Sequence, residues 1–176
     1  MKPGKQEHFR QLYDSVHVTF ERFCRARVYG EMDYRDLMNE TLLVAWEKLD
    51  TLRSEKAFLG FLFGIAVRLL ARNHRKKREL KTEDQPLLKE RPSGESADRD
   101  AEIHLLYKAL ARLPEIQREA LILFEINGFS IKEIAGMQEA SQAAVKKRLE
   151  RGRKQLYQLL RETPQVGSQS MEVNHG

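Results

Sequence analysis

A chain of 176 residues has room for one ordinary domain or two small helical ones, and its net charge of +5 favours an anionic partner. The single cysteine, Cys24, excludes an intramolecular disulfide and a cysteine-based zinc site. We find no signal-like N-terminal segment and no apolar run of membrane-spanning length, so we expect a cytoplasmic protein without membrane insertion.

Three amphipathic helices are predicted in the N-terminal part of the chain. Apolar residues at helical spacing predict one helix over the first 30 residues, ending near Gly30. Asp33 is the candidate N-cap of the second helix, which ends near Asp50. The third helix, residues 57–78, is apolar in its first half and strongly basic in its second half. One end of this helix is therefore expected in the core and the other at the surface.

Helical periodicity disappears over residues 79–97, where proline, glycine, serine and charged residues mix. This composition predicts a flexible linker between a first domain, residues 1–78, and a second domain, residues 98–162. Residues 163–176 are predicted to form a flexible tail. The expected fold class is all-α, with two small helical domains.

The second domain carries a helix-turn-helix pattern. Ser130 with Glu133 three residues later predicts a capping box at the start of a short helix. A polar turn at residues 138–140 follows, and Ser141 is the candidate N-cap of the final helix. In such a motif the N-terminal part of the second helix enters the major groove of DNA.

The final helix is basic at the positions where this motif contacts DNA. Residues near its start are placed for base edges, and later ones for phosphate groups. The predicted DNA-binding residues of this helix are Ser141, Gln142, Lys146, Lys147, Arg148 and Arg151.

A second basic run ends the third helix of the first domain. Arg68, Arg72, Arg75 and Lys76 fall on one helical face, where they can follow a phosphate backbone. The loop at residues 51–56 precedes this helix and is a candidate site for an unstacked base. A solubilising helix end is the alternative interpretation of the basic run.

The helix over residues 36–49 has the opposite charge. Asp36, Asn39, Glu40 and Trp46 lie beside its apolar stripe. An acidic strip suits a basic protein partner better than DNA. An ordinary solvated helix face is the other interpretation.

Enzyme chemistry has little support in this sequence. The five histidines are scattered without a metal-ligand spacing, and we find no glycine-rich phosphate loop or nucleophile motif. We therefore expect no catalytic activity, no metal site and no cofactor.

These segments together resemble the extracytoplasmic-function (ECF) group of bacterial RNA polymerase sigma factors. DLMNETLLVAWEKLD (residues 36–50) and AFLGFLFGIAVRLLARNHRKKR (residues 57–78) are similar to region two of that family. LARLPEIQREALILFEINGFSIKEIAGMQEASQAAVKKRLERGRKQL (residues 110–156) is similar to region four. The resemblance implies a factor that binds core RNA polymerase and directs promoter-specific transcription initiation. It also implies that the genes transcribed are stress or envelope-response genes.

The resemblance also implies partners for each segment. The clamp helices of the polymerase β′ subunit would bind the helix over residues 36–49, and the β flap would bind an apolar surface of region four. Region two would melt and capture the downstream promoter element through residues 51–56 and the helix that follows. Region four would bind the upstream element through residues 141–154. An anti-sigma factor is a further expected partner.

Five positions depart from the family pattern. Phe61 stands where tryptophan is frequent, and Arg68 and Arg72 stand where asparagine and aspartate are usual. Gln138 and Glu139 replace an apolar residue and a turn glycine. Base-specific roles in region two therefore do not transfer to this chain from the family.

Two other functions remain open at the sequence level. A helix-turn-helix regulator that acts without core polymerase would explain residues 130–154 but leave the first domain without a task. A sigma-like mimic that binds an anti-sigma partner without initiating transcription would tolerate the departures at Arg68 and Arg72.

Overall fold

A computed structural model of the protein describes residues 4–80 and 97–162, and within them every regular element is helical. The N-terminal segment contains α1 (Lys5–Asp14), α2 (His17–Arg27), α3 (Tyr34–Glu47) and α4 (Phe58–Leu80), with 3₁₀ turns at Leu49–Thr51 and Glu55–Ala57. The C-terminal segment contains α5 (Ala97–Ala111), α6 (Glu115–Leu121), α7 (Ile131–Met137) and α8 (Gln142–Glu162), and a π-helical segment, Ile122–Ile126, continues α6. The all-α fold class is confirmed.

The predicted linker and tail fall mostly outside the described residues. Helix α4 continues to Leu80 and α5 begins at Ala97, so both helices extend by one or two residues into the predicted linker. The remainder of the linker, residues 81–96, and the tail, residues 163–176, lie outside the described part of the chain.

The prediction of one continuous N-terminal helix was wrong, because a turn at residues 15–16 separates α1 from α2. The Ser15 hydroxyl donates to the Leu12 carbonyl at 2.7 Å, and the Val16 N–H bonds to the Tyr13 carbonyl at 3.0 Å. These two bonds to the residue three positions earlier replace the regular i to i−4 hydrogen bonds of a helix. Serine side chains often compete with helical hydrogen bonding in this way. The apolar stripe continues across the break, which is why periodicity alone did not reveal it.

The core of the N-terminal segment forms where α2, α3 and α4 meet. The rings of Phe23 and Phe63 lie 4.4 Å apart between centroids, and both side chains are fully buried. Burying each such side chain contributes about 1.5–3 kcal/mol. Asp33 is the N-cap of α3, as predicted, because its carboxylate accepts the Arg35 N–H at 2.9 Å. The cap and the aromatic core together set the direction of α3.

The core of the C-terminal segment forms between α6, α7 and α8. Val145 and Leu149 of α8 are buried, and so is Ile134 of α7. Gly152 allows α8 to approach α6 closely, since a Cβ at this position would lie 3.0 Å from Leu121 Cδ1. The middle of α8 therefore packs closely on α6.

The two segments pack directly against each other. Phe129, which follows the π-helical segment, meets Phe63 of α4 with ring centroids 4.8 Å apart. Tyr29, after α2, meets Tyr107 of α5 at 5.7 Å. One continuous set of buried apolar residues runs through both segments. Within residues 4–80 and 97–162, none of the helices is long and apolar enough to cross a membrane.

Candidate nucleic-acid interface

The predicted helix-turn-helix is formed by α7 and the start of α8. The Ser130 hydroxyl accepts the Glu133 N–H at 3.2 Å, and the Glu133 carboxylate accepts the Ser130 N–H at 2.8 Å. The Ser141 hydroxyl accepts the Ala144 N–H at 3.1 Å. Both predicted caps are confirmed, and they fix the positions at which the two helices begin.

The turn between α7 and α8 contains Glu139 at a φ of +49°. This left-handed conformation favours glycine, which the family usually has here. The turn is nevertheless closed, because the Ala140 N–H bonds to the Ala135 carbonyl at 2.9 Å. The departure at Glu139 therefore leaves the helix-turn-helix geometry in place.

Five of the six residues predicted to contact DNA from α8 and its N-cap are exposed on the outer surface of this helix. The exposed ones are Ser141, Gln142, Lys146, Lys147 and Arg151. Val145 and Leu149 lie on the opposite side of the helix and are buried. The apolar side of α8 thus holds the polar side outward, as a recognition helix requires.

Arg148, the sixth predicted residue of α8, instead contacts the turn. Its Nη1 donates to Gln138 Oε1 at 2.8 Å, and the side chain is half-buried. Gln138 Nε2 in turn donates to Glu119 Oε1 at 2.8 Å and to the Ile116 carbonyl at 3.2 Å. Arg148 and Gln138 together brace α8 against α6.

The basic face of α4 borders a cavity of about 500 Å³ between the two segments. The residues of α4 on this cavity include Arg68, Arg72, Arg75 and Lys76, all exposed. The carboxylates that line it from the C-terminal segment are Glu115, Glu119 and Glu139. The four predicted residues are brought together, and acidic side chains of the other segment share their cavity.

The loop before α4 is built from two 3₁₀ turns. The Thr51 hydroxyl donates to the Lys48 carbonyl at 2.7 Å, and the Ala57 N–H bonds to the Ser54 carbonyl at 3.0 Å. The side chains of residues 53–56 are exposed. The loop is preformed, with polar groups open to solvent.

The acidic strip on α3 is followed by an exposed leucine on the same helix face. Asp36 and Asn39 are exposed and Glu40 is half-buried, while Leu43, on the same face, is 60% exposed. Trp46 is half-buried, with its ring 5.5 Å from that of Phe9 in α1. Sequence reasoning missed Leu43, although it lies one turn beyond Asn39 and Glu40.

A group of charged residues joins the two segments, and sequence reasoning missed it. We call it the interdomain charge cluster; its members are Arg27, Glu31, His74, Glu115, Arg118 and Glu119. Arg27 Nε donates to Glu119 Oε2 at 3.0 Å, and Arg27 and Arg118 are each 2% exposed. Arg118 also pairs with Glu31, and His74 pairs with Glu115. One signal was visible in the sequence: Arg27 falls in the apolar stripe of α2, one turn after Phe23 and Cys24.

Burial shifts the proton affinities within this cluster. Desolvation lowers the pKa of His74, and the positive charge of Arg27 acts in the same direction. Desolvation also lowers the pKa of Arg118 and raises that of Glu115. In each case burial disfavours the charged form of the group.

Three cluster members also have the chemistry of metal ligands. Donor atoms of Glu31, His74 and Glu115 lie within 4.8 Å of one another. Arg118 pairs with Glu31, and Arg27 Nη1 lies 3.7 Å from the same carboxylate. Because two guanidinium groups already neutralise this carboxylate, a cation here meets electrostatic opposition.

Two family models match the chain: Sigma-70 region 2 over residues 12–79 and Sigma-70 region 4 over residues 103–156. The ECF RNA polymerase sigma factor EcfG of Rhodopseudomonas palustris is 33% identical over 126 residues, which are 71% of this chain and 70% of that protein. The chain belongs to the ECF group of RNA polymerase sigma factors. The sigma factor NccH of Alcaligenes xylosoxydans xylosoxydans is 30% identical over 166 residues, 89% of each chain.

Solved structures of sigma factors resemble this one. The sigma factor RpoE of Bartonella quintana, in complex with the anti-sigma factor NepR, aligns with a TM-score of 0.73 and 25% identity, over 89% of this chain and 98% of that one. CnrH, in complex with the cytosolic domain of CnrY, aligns with a TM-score of 0.62 and 26% identity, over 89% of both chains. This ECF sigma factor therefore has the expected region two and region four, binds core RNA polymerase and promoter DNA, and directs transcription initiation.

Proposed function

We propose that this sigma factor reads its promoter with two basic faces, one on each region. The observation that carries the proposal is the capped helix-turn-helix, whose second helix presents Gln142, Lys146 and Lys147 outward. A side chain such as Gln142 can pair with adenine in the major groove, while the lysines contact guanine or phosphate. This face binds the upstream promoter element.

The second basic face is that of α4. Arg68, Arg72, Arg75 and Lys76 form a band of positive charge along the second half of α4, and the exposed loop at residues 53–56 precedes the first half of this helix. A basic helix face that can follow the phosphate backbone, together with an exposed loop that can receive bases, suits single-stranded DNA, whose bases have left the stack. Region two captures the downstream element here, with arginines at two positions where the family usually has polar or acidic side chains.

We propose that α3 is the main contact with the clamp helices of the β′ subunit. Asp36, Asn39 and Glu40 precede the exposed Leu43 on the same face of α3, so polar side chains lie beside an apolar anchor. Trp46 supports this surface by packing on α1 and contributes its exposed edge. Exposed apolar residues of region four, including Ile103 and Tyr157, are the candidate contacts for the β flap.

We also propose how this sigma factor is regulated and where in the cell it acts. RpoE of Bartonella quintana is bound to the anti-sigma factor NepR, and CnrH is bound to the cytosolic domain of CnrY. These complexes support an anti-sigma partner for this chain. We propose that the protein works in the cytoplasm on stress or envelope-response genes, without catalytic activity of its own.

Run-off transcription tests the proposal. Purified core polymerase is given a library of promoter fragments with and without the protein, and with the variants Lys146→Glu and Arg112→Glu. Both positions are exposed and both changes reverse one charge, but only Lys146 lies on the proposed DNA face. We expect initiation that depends on the protein, is lost in Lys146→Glu and persists in Arg112→Glu.

Other outcomes would contradict the proposal. A protein that binds core polymerase but never initiates is a sigma-like mimic. A protein that binds duplex DNA but not core polymerase is an independent helix-turn-helix regulator. Equal loss in both variants would show that α8 has no special role in promoter binding.

A further inference from the structure

Gln138, the C-cap of α7, places its side-chain amide between α6 and α8. Its Nε2 donates to Glu119 Oε1 at 2.8 Å and to the Ile116 carbonyl at 3.2 Å. Its Oε1 accepts Arg148 Nη1 at 2.8 Å. Because the amide nitrogen only donates and the amide oxygen only accepts, these partners fix the orientation of the amide. Gln138 therefore presents its oxygen to α8.

The neighbours of this amide require both a donor and an acceptor from one side chain. Glu119 and the Ile116 carbonyl are acceptors, whereas the Arg148 guanidinium only donates. A carboxylate at position 138 could bind Arg148 but could not donate to Glu119, and an apolar side chain could do neither. Gln138 and Arg148 are both half-buried, so the contact is only partly exposed to water. The direction of the Arg148 side chain thus depends on the amide of Gln138.

Arg148 is next to the proposed DNA face of α8. Lys147 precedes it, and Arg151 lies three residues later, which makes it a neighbour on the helix surface. Both of these side chains are exposed. The Arg148 guanidinium can contact DNA phosphate only if it leaves Gln138 Oε1, which would then lose its donor in a partly buried position. The contact with Gln138 therefore opposes DNA binding by Arg148.

We propose that Gln138 is a positioning residue that withholds Arg148 from DNA and so limits the sequence-independent part of the DNA affinity of α8. A phosphate contact strengthens binding to any duplex and carries no sequence information of its own. Without Gln138, Arg148 would add one such contact beside Lys147 and Arg151, and the sigma factor would bind unrelated sequences more tightly. This inference rests on the proposed DNA face of α8.

The number of phosphate contacts is measured by the salt dependence of binding. The full-length protein is titrated against a fluorescein-labelled duplex of random sequence, and fluorescence anisotropy gives the affinity between about 50 and 200 mM salt. The decisive variant is Gln138→Met, which keeps the length of the side chain and removes both polar atoms. We expect the slope of log K against log salt to steepen by about 0.9, so that affinity falls about 3.5-fold more than in the wild type over this range.

Three further variants test where the added contact comes from. Gln158→Met makes the same exchange at an exposed position of α8 outside the proposed DNA face, and it should keep the wild-type slope. Gln138→Met combined with Arg148→Ala should return to the wild-type slope, whereas a general loosening of the turn would not be reversed by removing a second side chain. Gln138→Ala removes the amide without adding a large apolar group. It repeats the test if circular dichroism shows that Gln138→Met has lost helix content.

A wild-type slope in both Gln138→Met and Gln138→Ala would overturn the inference. A steeper slope that persists after Arg148→Ala is added would also overturn it, because the added contact would then come from another residue. Lys147→Ala separates this inference from the proposed DNA face. If Lys147→Ala lowers the slope while the Gln138 variants keep it, only the role of Gln138 is rejected. If Lys147→Ala keeps it too, the proposed DNA face is wrong and this inference fails with it.

Discussion

Glu139 shows how a single backbone angle constrains the helix-turn-helix. Its φ of +49° lies in a region where a Cβ meets the backbone, and its side chain is exposed. Among the described non-glycine residues, it alone has a positive φ. The turn therefore stores strain at the residue where the family usually has glycine.

We predict that Glu139→Gly stabilises the protein by about 1 kcal/mol, because removal of the left-handed penalty exceeds the entropy that glycine adds to the unfolded chain. Urea denaturation measures the change. The matched control is Glu150→Gly in the middle of α8, which should destabilise the protein by about 1 kcal/mol. A loss of stability in Glu139→Gly would show that the carboxylate has a role the backbone does not reveal.

Gly152 is constrained by packing and not by its backbone. A Cβ at this position would lie 3.0 Å from Leu121 Cδ1 and 3.2 Å from its Cγ, and Leu121 is itself buried. We predict that Gly152→Ala destabilises the protein by about 1–3 kcal/mol through overpacking between α6 and α8. Gly136→Ala in α7, where a Cβ meets open space, should instead stabilise it by about 0.5–1 kcal/mol. Thermal unfolding of both variants checks the opposite signs.

At the scale of helices, most of the fold was predictable because each helix buries one face and begins at a polar cap. Asp33, Ser130 and Ser141 marked helix starts that the structure confirms. The break at Ser15 was not predictable, since the apolar stripe continues on both sides and only local hydrogen bonds interrupt the helix. Periodicity reports which face is buried, and it does not report whether the backbone is continuous.

The exposure of the residues proposed to bind DNA on α8 was predictable from the sequence, except at Arg148. A run of lysines and arginines indicates a basic helix, but the direction of each side chain depends on its neighbours. Arg148 bonds to Gln138, and Gln138 bonds to Glu119 in another helix. The sequence carries no sign of these two contacts, which join residues 10 and 19 positions apart.

This difference predicts distinct phenotypes for adjacent residues of α8. Lys147→Ala should weaken duplex binding and reduce the slope of log K against log salt by about 0.9, as expected for one lost phosphate contact. Arg148→Ala should leave most of the salt slope and destabilise the fold by about 1–3 kcal/mol, since it leaves Gln138 without its half-buried donor. Fluorescence anisotropy at several salt concentrations, with urea denaturation, separates the two. Equal salt slopes in both variants would contradict the assignment.

At the scale of the whole molecule, the two regions form one closed body, which their separate helix patterns did not predict. Taken singly, Glu31, Glu115 and Arg118 fit a solvated surface, and only the tertiary fold brings them to one place. Arg27, in an apolar stripe, was the one member with a visible signal. Contacts between charged residues that lie far apart in sequence produce no periodic pattern. The packing of the two regions on each other is therefore visible only in the structure.

Two titratable groups that are half-buried where the regions meet make the free energy of unfolding depend on pH. The groups are His74 and Glu115, and their contributions change with pH in opposite directions. His74 faces carboxylates of Glu31 and Glu115 and cations of Arg27, Arg118 and Lys77, and its pKa is lowered chiefly by burial. Its contribution to stability is therefore complete above its unfolded pKa of about 6.5 and is lost as the pH falls through the lowered folded pKa. Burial raises the pKa of Glu115, so its contribution is complete below its unfolded pKa of about 4.3 and is lost as the pH rises through the raised folded pKa.

We therefore predict opposite changes in two variants when the free energy of unfolding is measured between pH 7.5 and pH 5. His74→Gln removes the contribution that acid abolishes, so its stability should fall less than that of the wild type on acidification. Glu115→Gln removes the contribution that acid strengthens, so its stability should fall more. Each variant serves as the control for the other, because both changes place an amide at one end of the same contact. If the free energy of unfolding changes with pH in the same way in the wild type and both variants, His74 and Glu115 remain hydrated in the folded protein. Their protonation is then not linked to stability.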